Sequence, residues 1–325
     1  MPPDELASTV SRHVPGQGKI EIHRVSTGLV NETYRVLRDG RAYALRVTAT
    51  NSCDLGLDRA WEARVLERAA AADLAPVLEY YDAQHGILIA HWVDGRLWSQ
   101  PEVRRQSNIA RVAELMRRIH ALEMPMPARV MNPAKWIEYY GAALTRRSAT
   151  SNSHMPDTSG PQNRQGDVSA ETQAHPSYTP GARDSLPAAA ARRLAALAEL
   201  PGVDPVMCHS DLHTLNLVDR NPSLVLLDWE YAHAADPLWD LAGWSANNDL
   251  EEHLKRDLLA SYARRPPTRD EYVRLELLGW LYDYICLLWS DLYLELHRDD
   301  PQVDVAARAQ LLAARLGASP SSRAD

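Results

Sequence analysis

The chain of 325 residues contains no phenylalanine, although it holds 9 tryptophans and 13 tyrosines. Protein cores normally use phenylalanine freely, and Trp and Tyr differ from it in having cation-binding faces and polar handles. Cysteine is also scarce, since Cys53, Cys208 and Cys286 lie far apart and form no C-x-x-C pair. This usage excludes a disulfide scaffold and predicts reduced, structural thiols.

Long apolar runs are missing as well. No uninterrupted apolar stretch approaches the roughly 18–20 residues that a membrane-spanning helix needs. The first 14 residues, MPPDELASTVSRHV, have neither the basic nor the apolar region of a secretory signal. With 45% apolar and 24% charged residues, the composition is that of an ordinary globular chain, long enough for two lobes. We therefore expect no membrane partner and a cytoplasmic location.

The negative charge is unevenly distributed. The formal net charge is −8, and residues 201–325 alone hold 21 Asp and Glu against 11 Lys and Arg. An acidic C-terminal half disfavours nucleic acid as a partner and favours a small cationic substrate. Most of these carboxylates are nevertheless expected to form a solvated surface.

The most informative stretch covers residues 205–240. It contains His209, Asp211 and Asn216 in the spacing H-x-D-x-x-x-x-N, and Asp228 follows an apolar run. Phosphoryl transfer from ATP requires this order: an Asp that accepts the hydroxyl proton, an Asn for one metal ion and an Asp at a strand end for another. Because Asp and Asn oxygens suit Mg²⁺, we predict Asp211 as the catalytic base and Asn216 and Asp228 as the metal ligands.

These motifs resemble those of the aminoglycoside phosphotransferase and choline kinase superfamily. The resemblance is carried by HSDLHTLN at residues 209–216 and LDWEY at residues 227–231. It implies an α+β, protein-kinase-like bilobal fold, with a small, mainly antiparallel N-terminal lobe at residues 1–94 and a larger, mostly helical lobe at residues 95–325. The sequence Asp-Trp-Glu replaces the D-F-G of protein kinases, and no A-P-E segment follows, which argues against a protein substrate.

The resemblance also implies a loop over the ATP phosphates, at Ser26–Glu32. This loop contains a single glycine, Gly28, so an ordinary hairpin loop is the alternative reading. Its candidate phosphate or nucleotide contacts are Ser26, Thr27 and Asn31.

Four further nucleotide-site residues follow from the same resemblance. Arg46 stands where the family pattern most often has Lys, and it would bind the α- and β-phosphates. Its expected partner is Glu62 on the next helix, with Glu67 as the alternative. The backbone of Trp92 and Val93, at the crossing between the lobes, would contact the adenine edge. ATP and Mg²⁺ are thus the predicted cofactors, with GTP left open.

Residues 145–187 differ in character from the rest of the chain. They are rich in Ser, Thr, Pro, Gln, Asn and Gly, and they have almost no large apolar side chains. Because the kinase pattern resumes directly after them, they predict a disordered insertion without a catalytic role.

The acceptor is predicted to be a small, cationic alcohol held by aromatic faces and carboxylates, as in choline kinases. Thiamine kinase and aminoglycoside phosphotransferase are the alternatives, and a nucleotide-binding pseudokinase is the alternative of another class. The intact Asp211, Asn216 and Asp228 argue against the last. The candidate substrate contacts are Glu230, Asp236, Asp240, Trp244, Trp280, Tyr284 and Trp289. One of Asp236 and Asp240 is expected to anchor the catalytic loop, and a plain helix N-cap is the alternative for Asp236. An aromatic stripe at helical spacing is more often part of a core than a cation site, so these rings keep both interpretations.

Overall fold

An antiparallel sheet forms the N-terminal region. The computed structural model describes residues 3–27, 29–48, 52–152, 183, 185–298 and 303–318. The strands of this sheet are β1 (Ile20–Thr27), β2 (Asn31–Arg38), β3 (Arg41–Thr48), β4 (Leu78–Asp82) and β5 (Ile87–His91). They pair in the order β1-β2-β3-β5-β4, and every neighbouring pair is antiparallel. This confirms the small antiparallel sheet predicted for a kinase-like α+β fold.

The turn between β2 and β3 lies at Asp39 and Gly40, as the sequence predicts. Their φ angles are 49° and 74°, in the left-handed region that Asp tolerates and Gly adopts freely. The register on both sides is regular and places Arg46 of β3 opposite Thr33 of β2.

The predicted phosphate loop is shorter than expected. Ser26 and Thr27 belong to β1, where they pair with Thr33 and Glu32, and Asn31 begins β2. Only residues 28–30 therefore connect the two strands. Gly28 and the side chains of Ser26 and Thr27 lie outside the described part of the chain. The pairing of β1 with β2 shifts its register between Arg24 and Ser26 and then continues to Thr27. Residues predicted to be loop therefore belong to the strand.

Two helices flank the sheet, α1 (Pro3–His13) and α2 (Arg59–Ala71). The side chain of Asp58 caps α2 by accepting a hydrogen bond from the backbone N–H of Trp61, at 2.9 Å. The cap fixes the first turn of α2, which carries Arg59 and Glu62 toward the centre of the molecule. Both side chains are buried.

The rest of the chain is mainly helical. Its helices are α3 (Gln100–Val103), α4 (Gln106–His120), α5 (Pro133–Asn152), α6 (Leu186–Ala198), α7 (Leu238–Asn247), α8 (Glu252–Ala263), α9 (Arg269–Leu296) and α10 (Val303–Ala318). The longest, α9, begins with a capping box between Thr268 and Glu271 and packs against α5, α6, α7 and α10. Among the described helices, none combines the length and apolar character that crossing a membrane requires.

Helix α5 extends into the predicted insertion. It runs to Asn152, eight residues into the segment 145–187 that was predicted to be disordered. Arg146, Arg147 and Ala149 are good helix formers, so the polar composition does not end the helix there. Residues 153–182 and 184 lie outside the described part of the chain, and the prediction of disorder there stays a prediction.

Two short strand pairs hold the motif-bearing loops. Strands β6 (Val206–Cys208) and β9 (His233–Ala235) pair with each other, and β7 (Leu217–Asp219) pairs with β8 (Leu224–Leu226). The loop after β6 carries the H-x-D motif, and β8 leads directly to Asp228. Both pairs are buried, which gives these loops a rigid base.

Tryptophan and tyrosine take core positions that phenylalanine would otherwise fill. Trp61, Trp229 and Trp244 are fully buried, as are Tyr43 and Tyr140. The absence of phenylalanine therefore has a packing consequence throughout the chain and is not confined to one binding surface.

Candidate active site

The loop that follows β6 is fixed from below by Asp240 of α7. Its carboxylate accepts hydrogen bonds from the backbone N–H groups of His209, at 3.0 Å, and Ser210, at 2.8 Å. Ser210 has a φ of 71°, a left-handed conformation that is costly for serine, so these contacts hold a strained turn in place. His120 donates to the same carboxylate at 3.2 Å. Burial opposes ionisation of Asp240, but the hydrogen bond and charge of His120 outweigh it and lower its pKa.

His209 orients the residue that follows the turn. Its Nε2 donates to the carbonyl of Leu227 at 2.9 Å, and its Nδ1 accepts from the backbone N–H of Asp211 at 3.3 Å. This arrangement requires the neutral imidazole, and burial lowers the pKa of His209 accordingly. His209 thus links the catalytic loop to the end of the β7–β8 hairpin.

Asp211 presents a partly exposed carboxylate. The Nδ2 of Asn216 donates to its backbone carbonyl at 3.0 Å and to its Oδ2 at 3.2 Å, and His213 Nε2 lies 3.5 Å from the same oxygen. Burial tends to raise the pKa of Asp211, but the hydrogen bond and charge of His213, with the charge of Arg308, hold it below its usual value. The group is therefore ionised at neutral pH, as a proton acceptor must be.

Asp228 lies at the end of the β7–β8 hairpin, two residues after β8. It has a φ of 58°, and its Oδ1 accepts a hydrogen bond from Arg46 at 2.9 Å. The backbone N–H of Leu227 donates to the carbonyl of Asn216 at 2.8 Å, which holds the two predicted metal ligands at the same end of the hairpin. Burial and the charge of Glu230 raise the pKa of Asp228, although Arg46 opposes the shift. A cation would relieve the crowding of negative charge here, and the oxygen donors fit Mg²⁺.

A buried charged network surrounds Arg46. The Nη2 of Arg46 lies 2.6 Å from both carboxylate oxygens of Glu62. Arg59 bridges Glu62 and Glu230 through its Nη1, at 2.8 and 2.7 Å. Asn31 Nδ2 also donates to Glu230, at 2.8 Å. The Arg46–Glu62 pair has the geometry that the sequence predicts, whereas Asn31 and Glu230 are bound to each other and to Arg59, away from the roles predicted for them.

The two predicted adenine contacts lie just beyond β5. The backbone N–H of Trp92 donates to the carbonyl of Ala42 at 3.0 Å, so this segment continues the pairing of β5 with β3. Trp92 and Val93 are both half-buried, and the guanidinium of Arg35 lies 5.1 Å from the Trp92 ring centre. Their contact with adenine stays a prediction.

Most of the predicted substrate contacts are engaged elsewhere. Asp240 holds the catalytic loop. Asp236 accepts from the backbone N–H of Leu238 at 2.8 Å and from Arg274 at 2.6 Å, so it caps α7 and forms an ion pair. Trp244 is fully buried in the main core. The structure therefore does not place these three side chains at an acceptor site.

Trp280 and Tyr284 form part of a separate hydrophobic cluster with α6 and α10. Their rings lie 5.5 Å apart, and the guanidinium of Arg193 lies 4.0 Å from the Trp280 ring centre. A protein cation thus already covers the Trp280 ring. The core interpretation of this aromatic stripe applies to both residues.

Trp289 has a different environment, although it lies on the same helix. Its Nε1 donates to the hydroxyl of Tyr231 at 2.6 Å, and its ring stacks on Tyr293 at 5.3 Å. The hydroxyl of Tyr293 donates to the carbonyl of Leu29 at 3.0 Å. Trp289 is half-buried and lies between the segment after Asp228 and the β1–β2 connection. Of the predicted aromatic contacts, this is the one that the structure brings to the motif segments.

Sequence reasoning missed three polar residues around the site. Arg59 had a detectable signal, because it lies three residues before Glu62 on one helix face. Arg308 donates to Asn247 at 3.2 Å, and Asn247 donates to the carbonyl of Leu212 at 3.0 Å. Asn247 is seven residues beyond Asp240 on α7, whereas Arg308 lies far from the motifs in sequence and approaches the loop because α10 packs on α9.

Fold and site together define a small-molecule kinase. The model of the phosphotransferase enzyme family (APH) matches residues 21–278, and the chain belongs to this family. The match covers the sheet, both motifs and most of the helical region. The sequence has no significant match among curated proteins.

Solved structures of similar fold include kinases of several small molecules. A choline/ethanolamine kinase family protein from Mesorhizobium loti has a TM-score of 0.71 at 23% identity, covering 98% of this chain and 95% of that one. Choline kinase LicA from Streptococcus pneumoniae has a TM-score of 0.70 at 20% identity, with coverages of 98% and 99%. The gentamicin complex of APH(2″)-IIa has a TM-score of 0.62 at 13% identity, with coverages of 95% and 96%. At these identities the likeness concerns the fold.

Proposed function

We propose that this kinase transfers the γ-phosphoryl group of ATP to a hydroxyl group of a small molecule. The observation that carries the proposal is the joint placement of Asp211, Asn216 and Asp228, with Asn216 contacting Asp211 at 3.2 Å and Arg46 contacting Asp228 at 2.9 Å. ATP as the donor is supported by similar folds solved with AMP and with ATP. The nucleotide would lie between the N-terminal lobe, residues 1–94, and the catalytic lobe, residues 95–325.

In this proposal the chain acts mainly by positioning. Asp211 orients the acceptor hydroxyl and takes its proton, and its lowered pKa keeps it ionised for that role. Arg46 binds phosphate oxygens on the other side of the transferred group. Asn216 and Asp228 would hold Mg²⁺, which supplies positive charge to the phosphates when bound. Ser26, Thr27, Trp92 and Val93 remain proposed nucleotide contacts.

We propose a cationic alcohol of the choline type as the acceptor. The fold is similar to that of choline kinases, and residues 201–325 carry an excess of acidic side chains. Arg308 adds a cation beside the catalytic loop, so net charge alone does not select a cation there. The half-buried aromatic face of Trp289, next to Tyr231, is the remaining candidate for recognising a quaternary ammonium group.

Substitution of the base tests the reaction. Asp211→Asn keeps the size of the side chain but removes its ability to accept a proton, so we expect kcat to fall by at least about 100-fold. Coupled ADP release at saturating ATP and acceptor measures this, with ATP affinity by calorimetry as the control for folding. A variant that retains more than about a tenth of the parent rate would exclude Asp211 as the base.

A pair of matched alcohols tests the acceptor class. Choline and 3,3-dimethylbutanol share their shape and hydroxyl group, but a carbon replaces the charged nitrogen in the second. Recognition over one aromatic face with help from acidic groups predicts a kcat/KM at least about tenfold higher for choline. Equal rates, or reaction with kanamycin but not with choline or thiamine, would overturn the cationic-alcohol proposal and leave the kinase assignment standing.

A further inference from the structure

Two guanidinium groups and three carboxylates share one buried cluster in the nucleotide site. The side chains of Arg46 and Arg59 are 11% and 8% exposed, and those of Glu62 and Glu230 are 0% and 5% exposed. Asp228, the third acid, is 34% exposed. Charges this deeply buried need close partners. The acids that each guanidinium group contacts are therefore the ones whose charge it compensates.

Arg46 lies close to three acids, and the proposed reaction needs one of them, Asp228, as a metal ligand. Its Nη2 contacts Glu62. Its Nη1 lies 2.9 Å from Asp228 and 3.8 Å from Glu230. To bind phosphate, Arg46 has to give up part of these contacts, and Asp228 has to turn from Arg46 to a metal ion. Any such change leaves Glu62 and Glu230 with less compensating charge.

Arg59 contacts the two acids to which the proposed function gives no metal or phosphate role. Its Nη1 bridges Glu62 and Glu230, and its Nη2 donates to Asn31 Oδ1 at 3.1 Å. Asn31 in turn donates to Glu230, which closes a ring of contacts between β2, α2 and the segment after β8. Within the described residues, Arg59 makes no ion pair with Asp228. Its charge is thus reserved for Glu62 and Glu230.

We propose that Arg59 is a positioning residue of the nucleotide site, which supplies the counter-charge for Glu62 and Glu230 so that Arg46 can turn to the phosphates. The proposal rests on the proposed function, since it assumes that Arg46 binds phosphate. Without Arg59, two buried carboxylates would depend on Arg46 alone, and the cost of leaving them unpaired would hold Arg46 away from the ligand. A residue that only stabilised the fold would affect all ligands of the site equally.

The test compares Mg·ATP with adenosine, which occupies the same site but lacks phosphates. In the full-length protein, Arg59→Met should weaken Mg·ATP binding by at least about tenfold in calorimetry and leave adenosine affinity unchanged. Adding Glu230→Gln to this variant removes one of the two carboxylates that would otherwise depend on Arg46 alone. The net charge of the cluster then returns to its original value, which should restore most of the Mg·ATP affinity. Arg274→Met is the matched control, because Arg274 is equally buried and loses an ion pair with Asp236. It should lower the melting temperature without changing either affinity.

Should Arg59→Met fail to fold, Arg59→Lys keeps the charge but loses the fork, and a smaller, still phosphate-dependent loss of affinity is expected. Equal weakening of Mg·ATP and adenosine, or no recovery with Glu230→Gln, would overturn the proposal. This experiment measures ligand binding and needs no turnover. Its outcome is therefore independent of the Asp211→Asn experiment, which tests the catalytic assignment.

Discussion

The proposed nucleotide side and the proposed acceptor side of the catalytic loop are built differently. On the nucleotide side, Arg46, Glu62 and Asp228 form short ion pairs, and each has a partner that its charge demands. On the acceptor side, the nearby groups are Trp289, which is half-buried, and Arg308, which is exposed. A buried charge tolerates few neighbours, whereas an aromatic ring tolerates many. The first side is therefore strongly constrained by electrostatics, and the second mainly by packing.

This difference explains why the two sides were not equally predictable. The Arg46–Glu62 pair and the hydrogen bond between Asp211 and Asn216 follow from residues at fixed spacing in and around a few short elements. Arg308 approaches the loop only because α10 packs on α9, and no local pattern in the sequence marks it. Local chemistry can be inferred from spacing, but the faces that long helices present to each other cannot.

After that of Asp211→Asn, the largest effect is expected at Asp240, which holds the catalytic loop between the two sides. Asp240→Asn replaces one of two acceptor oxygens by an NH₂ group, which would face a backbone N–H of His209 or Ser210. The turn before Asp211 should then move, and since a misplacement of about 1 Å can cost about 100-fold, we expect kcat to fall by about 10- to 100-fold. The acceptor KM should change much less, because the loss is in positioning the base.

Asp283→Asn is a suitable control for this experiment. Asp283 is also buried and pairs with Arg315, but it does not hydrogen-bond the catalytic loop. Its variant should keep kcat within about twofold of the parent. If both variants lost activity to the same extent, the anchoring role of Asp240 would be no more than a general contribution to stability.

Asp236 and Asp240 show where the sequence reasoning ran out. One acid of the D-x-x-x-D pattern was predicted to anchor the catalytic loop and the other to contact substrate, without deciding which. Asp240 anchors the loop, whereas Asp236 bonds the first backbone N–H of α7 and pairs with Arg274. Aspartates four residues apart at a helix start look alike in sequence, and their partners lie on distant elements. The sheet and the catalytic hairpin could be predicted from turn residues and alternation, but these allocations depend on tertiary contacts.

The aromatic residues differ in the same way. Trp244 and Trp280 were candidate cation contacts with a core position as the alternative, and in the structure Trp244 fills the core and Arg193 covers the Trp280 ring. Composition indicates that tryptophan is used where phenylalanine is not. It does not indicate which ring faces a ligand, because core rings and ligand rings share the same helical spacing.

The smallest expected effect compares Trp289 with Trp280 on helix α9. Both rings are candidate substrate contacts in the sequence, but the structure gives them different surroundings. Trp289→Leu should reduce the preference for choline over 3,3-dimethylbutanol by about three- to fivefold, the loss expected for one cation–aromatic contact. Trp280→Leu should lower the melting temperature through the cluster around Leu281 and leave the preference unchanged.

Measuring kcat/KM for both alcohols in both variants makes this a test of the acceptor side itself. Each variant is its own control for general damage, because loss of folded protein lowers both rates and cancels in their ratio. If Trp280→Leu changed the ratio as much as Trp289→Leu, packing around α9 and not direct contact would control specificity. If neither changed it while choline remained preferred, the cation would be recognised by carboxylates. The aromatic proposal for Trp289 would then fail, and its ring would be part of the packing that links α9 to Tyr231.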